Sequence, residues 1–483
     1  MRILLLTQVL PYPPDSGPKV KTWNLLKCLA PHHAITLVSF VRGDQSSDVR
    51  RLAEYCEAVH GVPLRRSRRA DLWHLLRSVL TGQPFMMVRD DCLAMRRALD
   101  QLTARTRFDV VHADQLNMAQ YAQRVPYARR VLDAHNALWL LYQRFHQTMA
   151  AGPRKWLIGR DWRLLKRYEG QVCRGFDATL AVSDDDAEAL EEAMGERAEV
   201  TVIPIGVDLQ ELPMVMRRRG ANHIVHIGTM YWPPNVDAVR WFIEHVYPHI
   251  SAARPDVVFD VVGARPPRAL RALARPESGI NITGHVEDPS HYLEHAGAFV
   301  VPLRAGGGMR VKILNALAQG LPVVSTTMGC RGIAVEPGRH VLVADTPADF
   351  ADSVLRVLND DPLAAQLGRN GRQLVETRYD YRRLCPQVLD VYRAVCVPKL
   401  SGAPSAGSLS DVVVSSDPTR PPDPFAEGFG PQAEASGVRA GSGPSAAGLR
   451  SAEPQAGPAE QTPTAGSSPS PTRASASRCP PRS

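Results

Sequence analysis

Short runs of Val, Ile and Leu alternate along the chain with longer stretches of helical length. The runs show no polar alternation, which predicts strands buried on both faces of parallel sheets. Two series are predicted: Ile3–Leu6, Ala34–Phe40, Val110–His112, Arg130–Ala134, Thr179–Val182 and Glu199–Ile203, then Ile224–Gly228, Val257–Val262, Ile280–Thr283, Ala298–Pro302, Pro322–Ser325 and Val341–Ala344. Helices are predicted at Val20–Ala30, Asp161–Gly175, Asp184–Met194, Asn235–His245, Met309–Gln319 and Pro347–Asn359. This alternation predicts an α/β fold with doubly wound sheets.

The β/α series restarts near Ile224, after a polar stretch that contains proline. We therefore predict two Rossmann-like domains, at residues 1–205 and 206–380, followed by a closing helix at 381–398. Two such domains form a cleft, because open parallel sheets bind ligands at the carboxyl ends of their strands.

The end of the chain has a different composition. Pro, Gly, Ser and Ala make up 54 of the 83 residues from Ser401 to Ser483. Such a segment has too little apolar surface to offset its ordering entropy, so residues 399–483 are predicted to be a disordered tail. The tail holds 6 Arg and 7 acidic residues, whereas the whole chain has a net charge of +8. The excess positive charge therefore belongs to the folded part.

Targeting and redox signals are weak. The opening MRILLLTQVLPYPP breaks at Pro11 without a small-residue cleavage site, which predicts a first strand rather than a signal peptide. No apolar run reaches the ~18 residues of a transmembrane helix. The eight cysteines are scattered singly, without a Cys-x-x-Cys pair. This pattern argues against a zinc site and a disulfide framework and favours a reducing cytoplasm.

One segment, VPLRAGGGMRVKILNALAQGLPVVST, carries the strongest chemical signal. A predicted strand ends at Pro302, and the glycines Gly306, Gly307 and Gly308 precede a predicted helix. Backbone amides at a glycine loop and a helix N-terminus bind anions. Lys312 and Asn315 fall on one helical face beside this loop. The segment predicts a site for a diphosphate and its neighbouring sugar or ribose.

The cations of this segment suit the loss of a diphosphate leaving group. When a nucleotide-sugar breaks at its sugar–phosphate bond, the charge on the departing diphosphate needs fixed donors and cations. Arg310, Lys312 and the amides after Gly306 supply them, so no metal is expected. The run Asp184-Asp185-Asp186 starts a predicted helix, where acidic residues complement the helix dipole.

The strand, glycine loop and KILNALAQGLPVVST resemble the donor-binding segment of GT-B fold glycosyltransferases of family 4. Further segments resemble the same family in order: PYPPDSGPKVKTWNLLKCL, FDVVHAD, DAHNA, AVSDDD, IPIGVD, VHIGTMYWPPN, VVGARPP and GHVED. The resemblance covers about residues 1 to 397. It implies transfer of a sugar from a nucleotide-sugar with retention of configuration, no obligatory metal and no separate cofactor. It also implies that the closing helix returns to the first domain.

The resemblance extends to individual residues. It implies a donor site formed by Gly228, Gly263, Val286, Gly306, Gly307, Gly308 and Asn315, and catalytic roles for His135, Arg310 and Lys312. Gly308 and Asn315 stand where the family typically has two glutamates. The amide oxygen of Asn315 still accepts hydrogen bonds but carries no charge. The basic residue usual after the second domain's first strand is missing at Gly228-Thr229-Met230.

Three residues of the first half are candidates for the acceptor side. His135 follows a predicted strand at the carboxyl end, where its imidazole would face the cleft, or would instead bond to Asp133 or a loop carbonyl. His112 also ends a predicted strand. Gly17 either lets its loop approach a phosphate or acceptor, or is an ordinary turn glycine.

Two basic stretches bear on partners. Arg65-Arg66-Ser67-Arg68-Arg69 precedes DLWHLLRSVL, and RKWLIGRDWRLLKRY follows from Arg154. Basic segments with Trp suit peripheral contact with an anionic membrane, although a solvated charged face has the same pattern. No nucleic-acid motif accompanies the charge.

The expected function is glycosyl transfer to a saccharide or lipid-linked acceptor in cell-envelope or exopolysaccharide synthesis. The expected location is the cytoplasm or the inner face of its membrane. Two alternatives stay open. A catalytically inactive GT-B scaffold is favoured by Gly308 and Asn315. A sugar-nucleotide epimerase would share the fold but would need further acid/base carboxylates in the cleft.

Overall fold

The first half of the protein forms a seven-stranded parallel sheet in this computed structural model, which describes residues 1–64, 66–195 and 199–397. Its strands are β1 Arg2–Thr7, β2 Ala34–Val41, β3 Ala58–Pro63, β4 Val110–Asp114, β5 Arg129–Ala134, β6 Ala178–Ala181 and β7 Thr201–Val202. The strand order is β3-β2-β1-β4-β5-β6-β7. β1 and β4 are therefore neighbours, and the chain reverses its direction of winding between them.

Nine helices cover the described part of this sheet. They are α1 Gly17–Leu29, α2 Ser46–Leu52, α3 Arg68–Thr81, α4 Phe85–Arg89, α5 Leu93–Arg105, α6 Leu116–Ala122, α7 Leu138–Thr148, α8 Pro153–Arg174 and α9 Asp184–Met194. Every residue of β4 is buried, and β1 is buried from Ile3 to Thr7, as expected for strands covered on both faces.

The second half repeats this plan with six parallel strands. They are β8 His223–Ile227, β9 Val258–Val262, β10 Ile280–Gly284, β11 Ala296–Val301, β12 Val323–Ser325 and β13 Leu342–Val343. The order β10-β9-β8-β11-β12-β13 places the change of direction between β8 and β11. The predicted fold, two doubly wound α/β domains, is confirmed.

The helices of this half are α10 Pro233–Trp241, α11 Tyr247–Ala253, α12 Arg268–Arg271, α13 Ser290–Glu294, α14 Val311–Ala318, α15 Thr327–Cys330, α16 Pro347–Asn359, α17 Asp361–Arg378 and α18 Tyr381–Cys396. A π-turn at Phe242–Val246 joins α10 to α11, and a 3₁₀ turn lies at Pro276–Ser278. None of the described helices has the length and apolar composition needed to cross a bilayer.

The last helix packs on the first domain. Tyr392 of α18 is fully buried, and its hydroxyl lies 2.6 Å from Nδ1 of His112 in β4. A disulfide joins Cys385 of α18 to Cys28 of α1. The scattered cysteines predicted no disulfide framework, and for this pair that prediction is wrong. The two cysteines lie 357 positions apart, so only the fold brings them together.

The structure differs from the sequence prediction at β3, and the prediction for the end of the chain is untested. Strand β3 was not predicted, because its sequence AVHGVP contains Gly and Pro and lacks an apolar run. The predicted disordered tail at residues 399–483 lies outside the described residues.

Candidate active site

The glycine-rich loop connects β11 to α14, at the carboxyl end of the sheet in the second domain. Gly308 has a φ of 68°, which a residue with a side chain rarely adopts. A Cβ there would lie 3.1 Å from the backbone oxygen of His135, which belongs to the first domain. The loop therefore reaches across the cleft and touches the segment that follows β5.

Other contacts close the cleft around this loop. A Cβ on Gly307 would lie 3.1 Å from Leu141 of α7, and a Cβ on Gly17 would lie 3.3 Å from Val311 of α14. Arg331 forms an ion pair with Asp185 from the opposite domain. The space beside the glycine loop amounts to only about 10 Å³. In this conformation the space is too small for a nucleotide-sugar.

A larger cavity of about 600 Å³ lies elsewhere between the domains. It is lined by Ser183 and Asp184 on the first domain and by Gly332, Tyr379 and Arg383 on the other side. None of the predicted catalytic or donor-binding residues lines this cavity. It is therefore separate from the candidate site.

Lys312 has three close neighbours from different elements. Its ammonium donates to Oδ1 of Asn235 at 3.1 Å and lies 3.4 Å from Nε2 of His226. A Cβ on Gly228 would lie only 2.6 Å from the same nitrogen. The predicted site residues Lys312 and Gly228 are thus in contact, and only a glycine leaves room for the ammonium.

The protonation state of this group follows from its surroundings. Burial, reinforced by the charge of Arg310, lowers the pKa of Lys312 to about 7. Burial and the nearby ammonium hold the pKa of His226 well below its usual value, so His226 is neutral. The Nδ1 of His226 lies 2.8 Å from the carbonyl of Val300, which fixes the proton there. Its Nε2 lone pair therefore faces Lys312.

Arg310 stabilises the glycine loop in this conformation. Its guanidinium donates to the carbonyls of Gly307 and Gly308, the latter at 3.1 Å. Burial lowers the pKa of Arg310 to about 10, so the group stays charged at neutral pH. Both of these bonds come from the Nη1 atom of Arg310.

The remaining donor-side residues lie at the same edge of the sheet. A Cβ on Gly263 would lie 1.7 Å from the backbone oxygen of Gly228, so the loops after β8 and β9 pack backbone to backbone. Val286 is half-buried in the loop after β10. Asn315 is half-buried on α14, and its amide makes no hydrogen bond with any described residue. Gly228, Gly263 and Val286 thus follow the carboxyl ends of β8, β9 and β10, and Asn315 lies on the helix after β11.

A buried polar network occupies the facing edge of the first domain. Nε2 of His135 lies 3.0 Å from Oδ1 of Asp114, and Lys21 pairs with Asp133. Burial opposes ionisation of Asp133, but Lys21 and the two neighbouring histidines outweigh it and hold the pKa of that carboxyl below its usual range. His112 approaches Asp133 at 3.6 Å. Nε2 of His135 lies 4.0 Å from the same Oδ2 atom of Asp133, so the two histidines share one carboxylate neighbour.

The same network contains a group of potential metal ligands. One ligand atom each from His112, Asp114 and Asp133 lies within 4.8 Å of the others. The ammonium of Lys21 already neutralises Asp133, and the hydroxyl of Tyr392 contacts His112. These contacts do not fit a metal site, because a cation there would face an ammonium group.

The acidic run at the start of α9 has structural partners. The Ser183 hydroxyl caps the helix by accepting from the amide of Asp186, and Asp186 accepts the amide of Ala137 at 2.9 Å. Asp185 forms the ion pair with Arg331. These contacts agree with the prediction that the run complements a helix N-terminus.

Sequence reasoning missed three residues of this arrangement. They are His226, Lys21 and Tyr392, none of which was predicted as a site residue. Asn235 was noted only as part of the WPPN segment that resembles the family. His226 stands one position before the end of a strand, where a buried histidine is unusual. That position was the available signal. Tyr392 gave none, because its partner is 280 positions away.

Two parallel-sheet domains that face a cleft, with a glycine-rich loop at its edge, are the arrangement of the GT-B fold. Residues 17–211 match the family described as Glycosyltransferase Family 4, and residues 221–360 match Glycosyl transferases group 1. Together these matches span more than half of the chain. The protein belongs to the family 4, group 1 glycosyltransferases, as the sequence resemblance predicted.

The curated relatives share 20–28% sequence identity with this chain over about half of its length. A D-inositol 3-phosphate glycosyltransferase of Nocardiopsis dassonvillei is 28% identical over 257 residues, which is 48% of this chain and 59% of the relative. A 44.6 kDa protein in the cps region of Klebsiella pneumoniae is 20% identical over 227 residues, or 45% of this chain and 57% of the relative. The chain thus spans less than two thirds of either relative's length.

A solved structure shows the same fold. HepE of Anabaena, in complex with UDP and glucose, aligns with a TM-score of 0.58 and 15% identity. The alignment covers 82% of this chain and all of that one.

Proposed function

We propose that this protein transfers a sugar from a nucleotide-sugar to a saccharide or lipid-linked acceptor. The observation that carries the proposal is the position of Lys312 in the first turn of α14, the helix that follows the glycine loop, with its ammonium against Gly228 and Asn235. A diphosphate in this cleft would meet that ammonium, the loop amides and the N-terminus of α14 together. The complex of HepE with UDP and glucose supports a nucleoside diphosphate as the donor part.

Charge development at the bond that breaks explains these groups. As the sugar–phosphate bond lengthens, negative charge accumulates on the terminal phosphate oxygens. Lys312 and the amides after Gly306 would stabilise that charge more strongly in the transition state than in the ground state. Arg310, which stays charged beside the carbonyls of Gly307 and Gly308, would add to this stabilisation. These cations are the basis for proposing a metal-independent reaction.

His135 is the proposed contact with the transferred sugar or acceptor. Its backbone oxygen meets Gly308 across the cleft, and Nε2 of its imidazole lies 3.0 Å from Oδ1 of Asp114. Retention of anomeric configuration is part of the proposal and rests on family membership. A role in cell-envelope or exopolysaccharide synthesis belongs to the proposal as well, with cytoplasmic reaction at the inner membrane face.

A panel of nucleotide-sugars with UDP, GDP and ADP tests the proposal. The full chain is incubated with each donor and a saccharide mixture, with and without a chelator. Release of nucleoside diphosphate and formation of a glycoside are followed by NMR, which also reports the anomeric coupling. We expect one donor to be consumed regardless of chelator, with an α-linked donor giving an α-linked product. Conversion of the sugar without acceptor would instead identify an epimerase.

A catalytically inactive scaffold is the second candidate, and Asn315 favours it. Its neutral amide stands where the family typically has a glutamate, and it has no partner among the described residues. Nucleotide binding without turnover of any donor in the panel would establish this alternative.

A further inference from the structure

Helix α3 is oriented with its apolar residues toward solvent. Leu72, Trp73 and Leu80 are exposed by 69%, 63% and 75%, and Leu76 and Val79 are also exposed. Ser78 is the only buried residue of α3. Placed at about 100° per residue, the five apolar residues form one stripe about 120° wide. A helix of a water-soluble domain normally directs such a stripe at the core.

Specific polar contacts hold α3 in this orientation. Ser78 donates to the carbonyl of Gln83 at 2.7 Å, and the guanidinium of Arg160 in α8 donates to the hydroxyl and the carbonyl of Ser78. The inward side also carries the half-buried His74 and Asp71. These contacts fix the orientation of α3, and the apolar stripe is therefore held toward solvent.

The Ser78–Arg160 contact also joins the two basic stretches of the sequence. Trp156 lies one turn before Arg160 on α8 and is 64% exposed. Two exposed tryptophans, Trp73 and Trp156, therefore belong to the two helices that this contact joins. The exposed apolar stripe of Leu72, Trp73, Leu76, Val79 and Leu80 is named the α3 face.

Positive charges border the α3 face. Arg68 and Arg69 make no ion pair with a described residue, and Arg77 has only a long contact of 3.8 Å to Asp91. The one acidic residue of α3, Asp71, is on the opposite side of the helix. Leucine and tryptophan flanked by arginine suit the interface of a membrane that carries anionic lipids.

The start of α3 is linked to the acceptor edge of the first domain. Arg66, just before α3, pairs with Asp90 at 2.6 Å, and Asp90 accepts from Gln8 at 2.9 Å. Gln8 directly follows β1, at the end of the sheet that faces the cleft. A surface bound to the α3 face would therefore lie next to the cleft.

We propose that the α3 face binds the surface of an anionic phospholipid membrane and holds the acceptor edge of the cleft against it. The inference deepens the proposed function, because it assigns the acceptor to the lipid-linked class that the membrane carries. Trp73, Leu76 and Leu80 enter the interfacial region, while Arg68 and Arg69 meet the lipid phosphates.

Co-sedimentation of the full chain with sucrose-loaded vesicles tests this proposal. The vesicles contain phosphatidylcholine alone or phosphatidylcholine mixed equally with phosphatidylglycerol. We expect binding to the mixed vesicles, weakened by about 1 M salt, and little binding to phosphatidylcholine alone. The variants Leu76→Glu and Trp73→Glu should each weaken partitioning about tenfold or more. Met216→Glu, at a site 90% exposed outside this helix, is the matched control and should bind as the unaltered chain does.

Two controls separate the outcomes. Circular dichroism shows whether each variant is folded, and calorimetric binding of nucleotide shows whether it keeps its donor site. Failure of the membrane proposal can therefore be told apart from failure of the proposed transferase function. Equal partitioning of Leu76→Glu and the unaltered chain would overturn the proposal. Absence of vesicle binding, together with a dimer that Leu76→Glu dissociates, would also overturn it and assign the face to a second copy of the chain.

Discussion

The ammonium of Lys312 lies 3.4 Å from the Nε2 atom of His226, and that nitrogen carries no proton. An ammonium beside a neutral imidazole has an acceptor but no counter-charge. The pKa of Lys312 is lowered to about 7 because neither His226 nor any other part of this pair carries a negative charge that would offset the dehydration of the ammonium. A diphosphate would supply the missing negative charge.

Nucleotide binding should therefore be linked to proton uptake. A bound diphosphate favours the ammonium and raises the pKa of Lys312, so the complex holds more protons than the free protein above pH 7. Affinity should fall by up to about tenfold per pH unit as the pH rises above 7. Calorimetry at several pH values, in two buffers with different ionisation enthalpies, measures both effects. Lys312→Arg is the control, because arginine keeps its charge and should flatten the profile. Equal affinity and no proton uptake across this range would contradict the linkage.

Folding stability should respond to the same group with the opposite pH dependence. The unfolded chain binds a proton at Lys312 up to about pH 10.5, whereas the folded protein loses it near pH 7. Stability from this group therefore rises between about pH 7 and pH 10.5. Comparing urea unfolding of the unaltered chain with Lys312→Met should show a smaller rise in the variant. An identical pH profile for both proteins would show that the ammonium is not desolvated.

Two glycine substitutions should separate folding from binding. In Gly228→Ala, the new methyl group meets the tip of a flexible lysine, so the protein should fold while nucleotide affinity falls about tenfold. In Gly263→Ala, the methyl group meets a backbone oxygen at 1.7 Å, so stability should fall by about 2–3 kcal/mol. Thermal unfolding and calorimetry on both variants check this. A stable Gly263→Ala protein would refute the close packing of the two loops.

Tyr392→Phe should destabilise the first domain. Burial holds the pKa of Tyr392 well above its usual value, so its hydroxyl donates to Nδ1 of His112. The variant leaves that buried nitrogen without a donor, which costs about 1–3 kcal/mol. Urea unfolding measures the loss, and Tyr379→Phe, which removes a hydroxyl bonded to the amide of Ala334, is the matched control outside this network. A decrease in the free energy of unfolding below about 0.5 kcal/mol would mean that the hydrogen bond from Tyr392 of the closing helix to His112 does not stabilise the first domain.

Much of the fold could be predicted because its signals are local. A buried strand, three glycines and a helix are adjacent in sequence, so the loop from Gly306 to Gly308 could be predicted from the sequence alone. The contacts of Lys312 could not be, because Asn235 and His226 precede it by 77 and 86 positions. The pairing of Cys28 with Cys385 is hidden for the same reason. The apolar stripe of α3 was visible, but its outward direction depends on the Ser78–Arg160 contact.

The most direct test of the central claim is calorimetric titration of the full chain with UDP, GDP and ADP, beside Lys312→Ala. The account expects one of these nucleotides to bind, with affinity at least about tenfold lower (~1.4 kcal/mol) in the variant. That result would locate the donor diphosphate at the ammonium and name the base for transfer assays. Failure of a correctly folded protein to bind any of the three, or binding that Lys312→Ala leaves unchanged, would contradict the assigned donor site.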